Sequence, residues 1–303
     1  MNRPPFSIHW ELRTLLYLGV LLLSAGLGTW VYQHLDTIDR LAIVGALCVF
    51  SAGGFFWCAR VQPSFSPVRV PSAGPLTDYI LLLACLTFVT LIGYLQFEYG
   101  LFGLRLTGFI PLVVLAFSAY YFDHLGVLSL AVTNLAAWLG IVVTPLGILA
   151  ADNWASPRLI YTGLLLGVFL FLAGFLTRRT RFKTHFGFTY AHFGIHILFI
   201  ACLSGLFYYW DTSYWGLWLV LLAGLVFVVR REAYRYDSLY FLVVAILYAY
   251  IGVSAGVIRV MELARFQDIG GLYLLIFYFI GSAVGFAFLL VDQNKKWRKH
   301  DRV

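Results

Sequence analysis

Apolar residues fill ten long stretches of this chain, and polar residues gather in the gaps between them. The stretches run over 14–32, 41–59, 79–97, 106–122, 125–144, 159–177, 188–208, 215–229, 238–258 and 271–291. A helix that crosses a bilayer needs about 20 predominantly apolar residues, with a working range of roughly 17–25. Most stretches meet that length; the fourth and eighth are short, and the fourth carries Pro111. Backbone polar groups in lipid must be satisfied within the segment, which selects helices. The pattern therefore predicts an all-α, polytopic transmembrane helical bundle of about ten spans. Asp123-His124 is the whole link between the fourth and fifth stretches. That pair reads as two crossings or as a re-entrant hairpin, and both leave the parity of later spans unchanged.

Charge adds direction to the pattern. The 21 Lys and Arg and the 14 Asp and Glu all lie at the ends of the apolar stretches or between them. With the N-terminus inside, 16 of the basic residues fall on the cytoplasmic side and 5 on the outer side. Cytoplasmic connections of membrane proteins carry the excess of Lys and Arg, so both termini are expected in the cytoplasm. The run 14–32 is 19 residues long. That exceeds the roughly 7–15 apolar residues of a signal peptide core, so it reads as the first membrane helix.

Composition narrows the class further. The chain is 61% hydrophobic and 12% charged, with mean hydropathy +0.86. Soluble domains carry about 25% charged residues. A net charge of +7 follows membrane topology and forms no basic and aromatic patch on a soluble domain, which excludes nucleic acid as a partner. Cys48, Cys58, Cys85 and Cys202 all sit in apolar stretches, with no C-x-x-C, so neither a disulfide framework nor a zinc site is expected. The longest connection, 60–78, carries Pro63, Pro67, Pro71 and Pro75 and reads as an extended linker. The organisation expected is one integral membrane domain over 1–303. Residues 78–93 and 237–252 both open on Asp and close on Ile-Gly, and Leu35-Asp36-Thr37 parallels Trp210-Asp211-Thr212. These matches suggest a parallel repeat of spans 1–4 and 7–10.

Candidate chemistry concentrates on the seventh stretch. His185, Thr189, His192 and His196 are spaced +4, +3 and +4, which places them on one helix face. His196 would lie roughly 12 Å in from the start of its span. Two readings stand: a polar stripe that takes a ligand, a metal or a proton, or neutral histidines bonded to neighbouring helices. His192 and His196 could share a metal, but no carboxylate lies at membrane depth to complete a shell, so neither metal nor cofactor is expected. Gly252-Val253-Ser254-Ala255-Gly256 matches G-x-S-x-G, yet Ser254 lies roughly 24 Å into its span, out of reach of His196.

Gly163 and Gly167, Gly252 and Gly256, and Gly281 and Gly285 are G-x-x-x-G pairs, suited to close helix packing. Asn134 and His196 are the main deep polar groups, and the lack of an intramembrane acid counts against cation-coupled transport. Glu98, Asp123, Glu262 and Asp268 read as an entrance or, rather, a solvated face. Lys295, Lys296, Arg298 and Lys299 form a polybasic tail that suits lipid head groups or a topology anchor.

Residues Leu12 to Ala46 carry two apolar helices around the turn His34-Leu35-Asp36-Thr37-Ile38. They resemble the bacterial predicted-membrane-protein family known as domain of unknown function 2157, whose turn resembles N-W-D-x-I. Leu35 stands where that family usually has Trp, and the family's soluble helical segment ahead of the first span is absent here or reduced to Met1–Leu12. The resemblance implies a bacterial inner-membrane location and a second membrane protein as partner; it implies no activity. The leading expectation is a non-enzymatic subunit or scaffold of a membrane assembly. The alternatives are a transporter or channel for a neutral or lipidic solute, and an intramembrane metal-dependent enzyme using His192 and His196.

Overall fold

The computed structural model describes residues 40–62, 65–72, 74–140, 156–236, 238–266 and 269–300, with single positions between 15 and 29. Most of the first apolar stretch, the turn at 34–38, residues 141–155, Asp237, Asp268 and residues 301–303 lie outside the described residues. So do the side chains of Lys296, Arg298 and Lys299.

Among the described residues the chain is helical and has no strand. The helices are α1 (Arg40–Val61), α2 (Pro75–Tyr99), α3 (Gly103–Phe122), α4 (Leu125–Trp138) and α5 (Pro157–Thr180). They continue with α6 (Phe186–Tyr208), α7 (Trp215–Arg235), α8 (Leu239–Leu263) and α9 (Ile269–His300). Seven are long and apolar enough to cross a membrane: α1, α2, α3, α5, α6, α8 and the Ile269–Gln293 part of α9. Their positions match seven of the ten apolar stretches. The 14 residues of α4 reach about 21 Å. Helix α7 does not stop at 229 but runs on through Arg230, Arg231 and Glu232 to Arg235. Helix α9 likewise continues through the polybasic tail to His300. Lys, Arg, Gln and Glu are good helix formers, and cations favour a helix C-terminus, so hydropathy ends before the helix does.

The chain forms two compact units, Met1–Val142 with Leu176–Thr189, and Val143–Phe175 with Tyr190–Val303. In the first unit α1 and α2 run antiparallel, because their contacts pair rising with falling numbers. A Cβ on Gly54 would come within 2.7 Å of Ala84 Cβ, and Cys58 Sγ donates to the Thr77 carbonyl at 3.7 Å. Helices α3 and α4 form a tight hairpin. Asp123 closes α3 in the left-handed conformation, φ 58°, and His124 caps α4 by accepting from Val127 N at 3.1 Å. At the open end of the hairpin Trp138 Nε1 donates to the Arg105 carbonyl at 2.8 Å.

In the second unit α5 and α6 cross on glycine. A Cβ on Gly194 would meet the backbone of α5, 2.8 Å from Phe171 N and 3.0 Å from the Gly167 carbonyl. Gly163 and Gly167 face Ala201 and Leu198 of α6, and Gly252 and Gly256 face Leu222 and Leu219 of α7. Among the described residues, Gly281 and Gly285 of α9 meet nothing within 4 Å. Ile195, Phe199, Leu206, Trp218 and Phe241 centre the buried core of this unit. Without a hydrophobic drive between helices in lipid, this close packing is the main attraction available.

Gly194→Ala therefore places a methyl group against backbone that cannot move aside, and is expected to cost about 1–3 kcal/mol. Gly281→Ala, in open space, is expected to be neutral or to stabilise by up to about 1 kcal/mol through helix propensity. Thermal unfolding of the two purified variants in one detergent compares them directly.

Candidate functional site

The predicted histidine stripe divides between two settings. Helix α6 begins at Phe186, so His185 lies just outside it, while Thr189, His192 and His196 stay on the helix. His196 is clamped between two residues of α8: Nε2 lies 2.6 Å from Tyr240 Oη and Nδ1 3.0 Å from Tyr248 Oη. A neutral imidazole donates through one nitrogen and accepts through the other, so both positions are spent on phenols and no lone pair remains for a metal. His192 lies beside it, its ring 4.9 Å from His196 and stacked 5.4 Å from Tyr240. Tyr248 in turn stacks on Phe199 at 4.5 Å. Among the described residues no three His, Cys, Asp or Glu side chains gather where they could hold a metal ion.

Asn134, the other deep polar group, donates through Nδ2 to the Gly108 carbonyl at 2.8 Å, across the α3–α4 hairpin. Ser254 and Ser282 meet tyrosine hydroxyls between α8 and α9: Ser254 with Tyr278 and Ser282 with Tyr250, each at 3.1 Å. These polar groups tie one helix to the next. Lys295 of the polybasic tail is exposed near the end of α9.

The densest charged cluster surrounds Asp123 in the first unit. Its Oδ1 lies 3.0 Å from Lys183 Nζ and 2.7 Å from His185 Nε2, and its Oδ2 accepts from Val70 N at 2.6 Å. The side chains of Asp123 and Lys183 are 1% and 0% exposed. The expectation of a solvated face at Asp123 is therefore corrected: its carboxylate is buried and fully engaged. His185 Nδ1 is buried with no hydrogen-bond partner among the described residues. The tautomer carrying its proton on Nε2 fits, because it donates to Asp123 and leaves only a lone pair at Nδ1. Lys183 N also donates to the Pro67 carbonyl at 2.9 Å, and Gln62 Nε2 to the Phe122 carbonyl at 3.3 Å. Next in the chain, His124 Nε2 lies 3.8 Å from Asp78 Oδ1, which accepts from Ser72 Oγ at 2.6 Å. Gln62, residues 67–72, turn 123–124 and loop 181–185 are thus one knot.

Of the other three acids of that set, the two described ones, Glu98 and Glu262, also have partners. Glu98 pairs with Arg40. Glu262 Oε2 accepts from Trp210 Nε1 at 2.8 Å and from Arg259 at 3.0 Å, and Arg259 also reaches Asp211 at 3.1 Å. Each of these clusters joins connections that the Lys and Arg count assigns to the same side of the membrane.

Over residues 2–129 the chain matches a family described as Predicted membrane protein (DUF2157). It is a multi-pass membrane protein. The match extends well beyond the resemblance at Leu12–Ala46 and takes in Asp78, Asp123 and His124, but not Lys183 or His185. No curated protein and no solved structure matches the chain.

The two tyrosines of the His196 clamp carry a signal in the sequence. Tyr240 and Tyr248 are eight residues apart, on one face of a helix, as are His192 and His196 on theirs. The Asp123–Lys183 pairing has no such local signal, because sixty positions separate the partners.

His196→Phe keeps an aromatic ring but removes both interhelical bonds. Such bonds within membranes average about 0.6 kcal/mol each, so the expected loss is about 1 kcal/mol. It is read as a lower unfolding midpoint, with Tyr240→Phe giving roughly half the effect.

Proposed function

We propose that this chain is a non-enzymatic subunit or scaffold of a membrane assembly in the bacterial inner membrane, with both termini in the cytoplasm. The carrying observation is α9. Residues 272–293 of α9 contain no buried side chain, whereas more than half of the apolar window of α6 is buried. Helix α9 meets α8 along Tyr278, Ser282 and Phe286, and its Gly281 and Gly285 have no neighbour within 4 Å among the described residues. A small-residue face is the kind on which a second membrane helix approaches closely. The polar groups that a catalyst or a carrier would use support the same reading: His196, Asn134, Ser254 and Asp123 are all spent on bonds within the chain.

The sidedness rests on the excess of basic residues and on the pairing of same-side connections in each unit. A second reading, transport of a neutral or lipidic solute, draws support from the half-buried His192 stacked on an exposed Tyr240.

Extraction of the full chain with its native lipids is expected to yield a stoichiometric protein partner on native gels. Gly281→Leu with Gly285→Leu is expected to release that partner without lowering the unfolding temperature, since among the described residues neither site has a neighbour within 4 Å. A chain that migrates alone from native membranes, and carries a solute in sealed vesicles, would contradict the assembly and favour the second reading.

A further inference from the structure

We propose that the loops knotted around Asp123 form a docking surface for anionic phospholipid head groups. The argument begins with what these loops lack. Segments 60–72 and 178–185 contain Arg60, Arg69, Arg178, Arg179, Arg181 and Lys183 and not one Asp or Glu. The two acids that the fold brings here, Asp78 and Asp123, are both buried, and Asp123 is neutralised by Lys183 inside the protein. Arg60, Arg69, Arg179 and Arg181 are exposed. The surface charge of the knot is thus cationic, and its anions face inward.

Exposed apolar groups stand among these arginines. Phe65, Val68 and Phe182 are all exposed, and the rings of Phe65 and Phe182 lie 6.4 Å apart although they come from different loops. The Arg60 guanidinium lies over the Phe56 ring at 4.8 Å. Arg60 sits in the last turn of α1, Arg179 in the last turn of α5, and the linker re-enters α2 at Pro75. Arg60, Arg179, Arg181 and Phe182 thus lie within two positions of a helix end and Phe65, Val68 and Arg69 within seven, which is close enough to the ends of these apolar helices to meet head groups. Aromatic side chains and arginine stems are favoured in that layer, with charge toward phosphate and ring toward acyl chain. A soluble polyanion would have to enter the same layer to meet both.

The surface is also preformed. Val70 N on Asp123 Oδ2 and Lys183 N on the Pro67 carbonyl fix both loops before any lipid arrives. Less ordering is then required on binding. The polybasic tail of α9 is a separate basic segment and serves as the control.

The test is native mass spectrometry of the full chain in detergent, titrated with phosphatidylglycerol or phosphatidylcholine. The unaltered protein is expected to retain phosphatidylglycerol preferentially, and more weakly as salt rises. Each arginine near an anionic surface contributes about fivefold, so Arg69→Gln, Arg179→Gln and Arg181→Gln together are expected to lower affinity on the order of a hundredfold. Phe65→Ala with Phe182→Ala is expected to weaken both lipids while keeping their ratio. An unchanged unfolding temperature in these surface variants separates lost binding from lost folding. Three results would overturn the proposal: no preference in the unaltered protein; a preference that survives the triple change but disappears on neutralising Lys295, Lys296 and Lys299; or full displacement of phosphatidylglycerol by heparin or RNA at equal charge.

Discussion

A single buried carboxylate sets the terms for the first unit of this protein. Asp123 is withdrawn from water, and its two oxygens are met by an ammonium, an imidazole and a backbone N–H. Burying such a group is costly unless it is both paired and hydrogen-bonded. The ammonium and the imidazole come from loop 181–185, the N–H comes from Val70 in the linker, and the carboxylate itself sits on a third segment, the α3–α4 turn. Among the described residues the ammonium is an ion-pair partner without a hydrogen bond of its own. Neither the described linker residues 65–72 nor the loop belongs to a helix, so the need to satisfy Asp123 gives both a fixed position. Lys183 shows how far this goes. It is fully buried and adopts φ 48°, an uncommon conformation for a residue other than glycine, at the point where its N–H reaches Pro67.

Within the spans the constraint changes from charge to reach. Lipid offers no partner to a polar side chain, so each one must find its bond within the protein: Thr87 and Thr133 return to their own helix backbone, and others cross to a neighbouring helix. Asn134 finds the Gly108 carbonyl, His196 two tyrosines, Ser254 and Ser282 one tyrosine each. Glycine allows the approach where no polar group is present, as where Gly194 meets the backbone at Gly167 and Phe171. Helix α9 departs from this rule over most of its surface, and that departure carries the assembly reading.

The apolar pattern places the nine described helices, because hydropathy responds to what surrounds a segment and seven of these are apolar enough to cross a membrane. It failed at helix ends. Arg230 to Arg235 and the tail beyond 291 are polar yet helical, since helix formation depends on backbone preference and not on burial. The histidine spacing on α6 was visible, but spacing alone cannot say which neighbour a ring will meet. Tyr240 and Tyr248 became partners only once α8 lay beside α6. Asp123 departs furthest from its sequence pattern, for a physical reason. A lone acid in a two-residue turn looks solvated until the chain sixty positions later supplies a cation, and no local pattern encodes that return.

A double-mutant cycle on Asp123 and Lys183 tests the central claim most directly. Asp123→Asn, Lys183→Met and the double variant are unfolded with denaturing detergent, and their free energies compared. Each single change leaves a buried charge without its partner and is expected to cost about 3–5 kcal/mol. The double variant removes both charges, so its loss is expected to fall well below the sum of the two, by about 2 kcal/mol or more. Additive losses, or single changes that cost nothing, would contradict the account and leave the three loops held by something other than this carboxylate.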